Sequence, residues 1–482
     1  MTEIKLHSHA CLEIINEDFS LLIDPWIIGP AFLGSWVQFP EAKITPEELS
    51  PSAILISHEH SDHFHIPTLK RLPLETPIYF PAFPNRRIET TLDALGFTNT
   101  HPIQFGDTIS LSEKVEVSCY EPVSIWNDSI LHINVDGFNI LNTNDAGFNH
   151  SIKKYLPKID LLCQQFSPGA SGYPLCWDNI SQEESEKIYS GFKSGMISML
   201  ERSSEFYGAD FVLPFASYFR LHHPDHKKYD EAVLRNTIID IAEHLSDSVN
   251  LVDLLPGESW NNTTGEFHRI YSAEERLELF QSVEIEFNEA EFNKHYPLGE
   301  TISEREVEKY LLNLQHVPEI QHCEDIQVKL NDIYFNIQDG IISTAGKYKS
   351  DTDLTIKIPV EVLSRIIKED MSWDEAHIGY WCRFSRKGAY NHNFWRLLQS
   401  PYYKKSIDLK HDKRNGEVIN LESNVAETIS LYPETERVLR RYGLYCAMCV
   451  SAPMESIAQA ASKHGVSSIL LKRLVSDINR CV

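Results

Sequence analysis

Short apolar runs separated by polar loops dominate the first two hundred or so residues. FSLLIDPW, SAILISHEH, FNILNTND, IDLLCQQFS and ADFVLPFAS each stop at a polar or turn-forming residue, as buried strands do when they feed a site at one edge of a sheet. Helical patterning between them is weaker, as over 68–72 and the longer stretch 182–206. The expectation is a layered α/β domain over residues 1–275. From 276 the texture changes, with Glu, Asn and Ile enriched up to 345. DLTIKIPVEVLSRIIKED then alternates like a strand at Leu354, Ile356 and Ile358 before turning helical at Val360, Leu363, Ile366 and Ile367. That predicts a smaller α+β module over 276–415. A small all-helical unit is expected over 421–482. Pro433 suits a first helical turn, Ser451 and Pro453 open a second helix that Gly465 closes, and Leu471, Leu474, Val475 and Ile478 trace one face of a third.

Composition narrows the function classes. The chain has 482 residues, so at roughly 100–200 residues per domain two to four domains are expected. Hydrophobic residues at 42 % and charged residues at 23 % are those of a folded protein rather than a disordered one. A net charge of −25 repels phosphate backbones and anionic lipid over most of the surface, so neither nucleic acid nor membrane is expected as a partner. The start, MTEIKLHSHACLEI, has no basic run followed by an apolar stretch, and no segment reaches the roughly 18 apolar residues of a membrane span, which together predict a cytoplasmic protein. Nine cysteines are too sparse and irregular for a secreted disulfide framework, and only Cys446 and Cys449 form a close pair.

The strongest chemical signal is SHEHSDHFH. His58, His60, Asp62 and His63 follow directly on the apolar run AILIS. Imidazoles two residues apart at a strand end project to one side, and the next turn brings a carboxylate and a third imidazole toward the same point, so a metal site is expected there. His65 lies beyond the pattern and is read as structural or as a support to the ligands.

H-x-H-x-D-H is the signature of the metallo-β-lactamase fold, and the chain resembles that superfamily. The resemblance implies an αββα sandwich in which His58 and His60 serve one metal, Asp62 and His63 a second, and Asp145, at the end of NILNTND, bridges them. The family usually supplies a further His from the segment that here reads KVEVSCYEP, which offers Glu121 instead. In this it resembles the diiron oxygenases of the fold, and an oxygen-rich set favours iron or manganese over zinc. A final ligand should follow DFVLP. FASYFRLHHPDH offers His222, His223 and His226, of which local similarity prefers His223. The catalytic group implied is thus Glu121, Asp62 and Asp145.

Longer segments are similar to CMP-N-acetylneuraminate hydroxylase and its bacterial relatives: LLIDPWIIGPAFLGSW, NDSILHINVDGFNILNTNDA, SPGASGYP, LPFASYF and WDEAHIGYWCRFSRKGAYNHNFW. This implies hydroxylation of a small, nucleotide-sugar-like or anionic substrate at two irons. Trp26, Trp36, the loop 167–173, Tyr218 and Arg220 are the expected substrate contacts. The vertebrate-type hydroxylase carries a Rieske domain, whose ligands are not expected in this chain, so either a partner such as a ferredoxin or thiol reductase supplies electrons or the chemistry differs. The tail ETERVLRRYGLYCAMCVSAPMESIAQAASKHGV resembles the redox disulfide domain associated with hybrid cluster proteins, which makes Cys446 and Cys449 a candidate dithiol. The competing expectation is a dinuclear zinc or manganese hydrolase acting on lactone, phosphodiester or amide bonds. His9, in HSHA, resembles a residue of the lactonase and phosphodiesterase branches.

Overall fold

The computed structural model describes residues 2–123, 126–246, 249–280, 285–296, 300–344, 352–388, 393–404, 419–446, 452 and 455–482. Among these, two large sheets face each other. In the first, Thr2–Ser8, Cys11–Asn16 and Phe19–Ile23 run antiparallel, and Phe19–Ile23 then pairs in parallel with Ala53–Leu55, followed by Ile78–Pro81 and Thr100–Ile103. In the second, Thr108–Ser110, Val115–Tyr120, Ile130–Val135 and Phe138–Asn144 are antiparallel, and Leu161–Gln165 and Phe211–Phe215 extend the sheet in parallel.

Alternation decides which side chains meet between the sheets. Ile4, Leu6, Ile14, Leu21 and Ile23 pack against Val117, Ile133, Leu141, Leu162 and Leu213 in one core. The outer face of the first sheet is apolar as well. Leu22, Ile54 and Ile78 are covered by Ile88 and Leu92 of the helix Arg87–Leu95, because parallel strands are buried on both faces. The second sheet is covered by the long helix Gln182–Tyr207, which contacts Leu161–Gln165 and Phe211–Phe215. The result is the expected αββα sandwich of the metallo-β-lactamase fold.

Local chemistry sets the element ends. The Ser181 side chain accepts the Glu184 N–H to open the long helix. The short helix expected at 68–72 instead spans Ile66–Leu69, because His65 caps it by accepting the Thr68 N–H and Pro67 fits its first turn. The hairpin between Ile130–Val135 and Phe138–Asn144 turns on Asp136 and Gly137, both with positive φ (53° and 88°), the geometry a two-residue turn needs to match strand twist.

The α+β module contains a five-stranded sheet, ordered Ile341–Thr344, Ile333–Gln338, Ile326–Leu330, Leu354–Lys357, Arg383–Arg386. The switch from strand to helix falls where the pattern places it, with Val360–Lys368 helical. Its core is not its own, however. Trp26, Phe32, Trp36, Trp177, Tyr189 and Phe219 of the first domain share one cluster with Val328, Phe335, Trp373 and Trp395. Residue 275 therefore divides the chain but not the packing. The tail has four described helices rather than three: Val425–Leu431, Thr435–Arg441, Ile457–Lys463 and Ser468–Ile478. The additional one is opened by Asn424, whose side chain accepts the Glu427 N–H. Ser456 rather than Ser451 caps the helix that begins at Ile457. Ser451, Pro453 and Cys449 lie outside the described residues. No described helix is long and apolar enough to cross a membrane.

Candidate metal centre

The centre forms where strands from both sheets end. Asp24 follows Phe19–Ile23, His58 to His63 follow Ala53–Leu55, and Asp145 follows Phe138–Asn144. His9 joins them from the turn between Thr2–Ser8 and Cys11–Asn16. His9, Asp24, His58, His60, Asp62 and His63 are all buried.

Hydrogen bonds on the far side of two imidazoles assign their protons. Ser57 Oγ donates to Asp24 Oδ2 (2.6 Å), leaving its lone pair toward His58 Nδ1 at 3.0 Å. His58 Nδ1 therefore carries hydrogen and Nε2 is free to ligate. His63 Nδ1 donates to Asp24 Oδ2 at 2.9 Å, which likewise leaves Nε2 as the ligating atom. Asn144 Nδ2 also donates to Asp24 Oδ2, at 2.9 Å. One carboxylate thus orients histidines it does not ligate with, as in carboxylate–histidine–metal arrangements.

The ligating atoms converge. His58 Nε2 stands 3.0 Å from His60 Nδ1. His9 Nε2 is 3.0 Å and His63 Nε2 3.3 Å from Asp62 Oδ2. Asp145 approaches His58 Nε2 and His63 Nε2 at 3.8 Å each. Three overlapping groups result, His9/Asp62/His63, His58/His60/Asp62 and His58/His63/Asp145, each with its atoms within 4.8 Å. Ligands ~2.1 Å from a shared ion stand about 3–3.5 Å apart, so these separations suit one. Buried polar atoms without hydrogen-bond partners are costly, and here Asp62 Oδ1, His63 Nε2 and Asp145 Oδ1 are three of them among the described residues. The residues fit a metal.

Electrostatics agree. Burial lowers His58 to about 3 and His60 to about 4, so both are neutral at pH 7 and can offer lone pairs. Burial would also lower His63, but Asp62, Asp145 and Asp24 outweigh it and raise that imidazole well above its usual range. A cation is what this pocket of carboxylates favours at His63 Nε2, be it a proton or a metal. Asp128, whose Oδ1 lies 3.5 Å from His58 Nδ1, is raised by burial and then by Asp145.

Alternate residues of the motif face the other way. Glu59 accepts from Asn85 Nδ2 at 3.0 Å and Asn127 Nδ2 at 3.1 Å. Ser61 donates its N–H and Oγ–H to Glu375 of the α+β module, at 3.1 and 2.9 Å. Burial lifts both Glu59 and Glu375 to about 7.

Several expected site residues lie elsewhere. Glu121 does not join the described ligand groups; its Oε2 accepts from Arg437 of the tail at 3.1 Å. His223 is also outside them. It starts the turn Pro224–His226, its Nδ1 accepting the Asp225 N–H, and its ring packs against Trp381 and His226. His222 Nε2 bonds Gly34 O at 2.9 Å and His226 Nδ1 bonds Ser35 Oγ at 2.8 Å, so these two fasten the loop before Trp36. Trp26 and Trp36 are fully buried, Trp36 stacked on Phe219 at 3.5 Å, and they wall the His9 ring rather than an open cleft. Tyr218 is buried with its hydroxyl donating to Leu254 O at 2.7 Å, and Arg220 is held by Asp230 at 2.6 Å, so neither is presented to a substrate. The loop 167–173 borders a cavity of about 600 Å³ against Tyr189 and Phe192. His65 Nε2 bonds Pro30 O at 3.2 Å. Cys446 belongs to the tail's core and borders a cavity of about 220 Å³ shared with Phe148 and Phe206 of the first domain. Asp24 and Asp128 escape a reading of the sequence, although Asp24 ends an apolar run just as Asp145 does.

Sequence comparisons place the first part of the chain in a known domain family. Residues 3–164 match the β-lactamase superfamily domain, and residues 419–471 match a domain of unknown function (DUF1858). Cytidine monophosphate-N-acetylneuraminic acid hydroxylase from Xenopus laevis is 26 % identical over 443 residues, 81 % of this chain and 71 % of the relative. The Mus musculus protein of that name is 26 % identical over 449 residues, 82 % and 73 % of the two chains. Among solved structures, the diiron β-hydroxylase CmlA from Streptomyces venezuelae is 17 % identical with a TM-score of 0.32 over 45 % of each chain. The metallo hydrolase Igni18 from Ignicoccus hospitalis is 13 % identical with a TM-score of 0.37, over 54 % of this chain and 97 % of its own. The chain carries a β-lactamase superfamily domain with a histidine and aspartate centre, and over most of its length it resembles cytidine monophosphate-N-acetylneuraminic acid hydroxylase.

Proposed function

We propose that this protein is a metal-dependent hydroxylase that uses two iron ions to oxidise a small anionic, nucleotide-sugar-like substrate. The observation that carries the reading is the extent of the likeness to hydroxylases. It spans 81 % of the chain, well beyond the β-lactamase superfamily domain, and includes the module that packs around the centre. Bound iron would supply the redox capacity to activate dioxygen. His58, His60 and His63 would hold it with neutral imidazoles, and Asp62 and Asp145 would contribute negative charge. The burial of His58, His60, Asp62 and His63 keeps bulk water from the reacting atoms. In the overall reaction one oxygen atom enters a C–H bond and the other leaves as water; the two electrons come from two equivalents of an external ferredoxin, with two protons from solvent, or from a dithiol that becomes a disulfide and releases two protons.

Cys446 and Cys449 are the proposed thiol route for those electrons. If so, Cys446→Ser with Cys449→Ser lowers turnover at least tenfold with the native reductant and leaves turnover with a small-molecule reductant unchanged. Equal loss with both reductants would count against the route.

Hydrolysis on the same centre is the second reading, favoured by His9, whose Nε2 reaches Asp62 at 3.0 Å and adds an imidazole that the hydroxylase reading does not require. The two are separated by loading the protein anaerobically with ferrous iron, adding CMP-N-acetylneuraminic acid and admitting oxygen. The hydroxylase reading expects an oxygen-dependent optical change and a product heavier by one oxygen. Oxygen-independent cleavage of a lactone or phosphodiester, with no optical response, would establish the hydrolase instead.

A further inference from the structure

His58 and His63 are oriented from within the β-lactamase superfamily domain, through Ser57 and Asp24. His60 is not. Its Nδ1 faces His58 Nε2 at 3.0 Å, while its Nε2 points out of that domain to the hydroxyl of Tyr403, 3.3 Å away. Tyr403 ends the helix Asn393–Tyr403 of the α+β module and is 1 % exposed.

The hydroxyl has one proton, and its surroundings settle where it goes. Tyr403 Oη donates to Asp374 Oδ2, and Asp374 Oδ1 accepts from Gln399 Nε2. Asp374 is 2 % exposed, and a buried carboxylate needs such donors. With its proton committed to Asp374, the Tyr403 oxygen can only accept from His60, so Nε2 carries hydrogen and Nδ1 keeps its lone pair. Asp374 itself stands 4.0 Å from His60 Nε2, too far to substitute for the phenol. Ser372 opens the helix Trp373–Ile378 by accepting the Asp374 N–H at 3.0 Å, and its Oγ lies 3.1 Å from Tyr403 Oη, which fixes the pair.

We infer that Tyr403, held by Asp374, is the positioning residue that makes His60 a ligand through Nδ1, so that the α+β module completes the metal centre. The inference rests on the metal reading above, though not on which reaction the metal supports. It also explains why residue 275 is no boundary in the packing: the ligand His60 is oriented by residues about 310 to 340 positions further along the chain.

The test uses the full chain and cobalt(II) as the probe. Tyr403→Phe keeps the ring and removes only the hydroxyl, which accepts from His60 and donates to Asp374. Cobalt affinity is expected to fall about 10- to 100-fold, the usual effect of losing a partner that orients a ligand. In cobalt-loaded protein, the hyperfine-shifted imidazole N–H resonance of His60 should broaden or vanish through exchange with water, while those of His58 and His63 persist. A role confined to packing would not move that resonance. Should Tyr403→Phe fail to fold, Asp374→Asn is expected to weaken cobalt binding in the same direction and to shift the same resonance. Unchanged affinity and an unchanged His60 signal in a folded variant would overturn the inference. Strong cobalt binding by the unaltered chain, followed by loss in Tyr403→Phe, would sustain it even if no oxygen chemistry were found, so it can fail or stand independently of the hydroxylase reading.

Discussion

Asp24 takes hydrogen bonds from Ser57, His63 and Asn144 and so links the end of Phe19–Ile23, the histidine motif and the end of the strand before Asp145. An amide in its place could turn its NH₂ toward His63 and force the imidazole proton onto Nε2, the ligating atom. Asp24→Asn is therefore expected to weaken metal binding about 10- to 100-fold in a calorimetric titration; unchanged affinity would show that His63 needs no such orientation. Glu375 gives a pH-dependent counterpart. Burial raises it to about 7, so the folded state holds a proton that the unfolded chain releases at the ordinary glutamate value. Its contribution to stability is full below that ordinary value and is lost as pH rises through about 7. Glu375→Gln cannot ionise, so its melting temperature relative to the unaltered protein should rise between about pH 5 and pH 8. Parallel melting curves across that range would contradict the assignment. At this scale the legible residues are those close together in sequence. His58, His60, Asp62 and His63 come from one loop, and Asp145 shows itself as a polar stop on an apolar strand. Tyr403 and Asp374 leave no such trace, because only the folded chain brings them to His60. Glu121 and His223 have suitable chemistry, but Arg437 and the ring of Trp381 are what they meet.

Among the elements, the parallel strands were the most legible, since burial on both faces leaves uninterrupted apolar runs such as AILI and LLC. The sandwich follows from them. The tail is less legible in the sequence. Its first helix, Val425–Leu431, is short and owes its burial to neighbours such as Val438 and Ile457 rather than to a strong pattern of its own. Turn chemistry is testable at the Asp136–Gly137 hairpin, which carries the strand leading to Asp145. Gly137 has φ of 88°, and a side chain added there would meet nothing within 4 Å. Any cost of substitution is thus backbone strain alone. Gly137→Val should destabilise the protein by about 1–3 kcal/mol in chemical denaturation, and Gly137→Asn by less, because Asn tolerates positive φ. Equal effects of the two would mean the turn does not control the hairpin.

The whole molecule is knit by contacts that cross its sequence divisions. The α+β module shares its core with Trp26, Trp36 and Phe219, and the tail reaches the first domain through Arg437 to Glu121 and the second through Arg396, which donates to Arg440 O at 3.0 Å. A chain ended at residue 275 would uncover those aromatic residues as a contiguous apolar surface, and it is expected to aggregate on size-exclusion chromatography where the full chain does not. A well-behaved folded monomer of that length would contradict the shared core. At the heart of the molecule, His58, His60, Asp62, His63 and Asp145 converge on a candidate metal centre. Elemental analysis of protein loaded anaerobically with ferrous iron and freed of excess, with Asp62→Ala and His63→Ala alongside, tests it most directly. Two irons per chain in the unaltered protein and one or fewer in each variant is the result the account predicts; iron content that is negligible throughout, or equal in all three proteins, would contradict it.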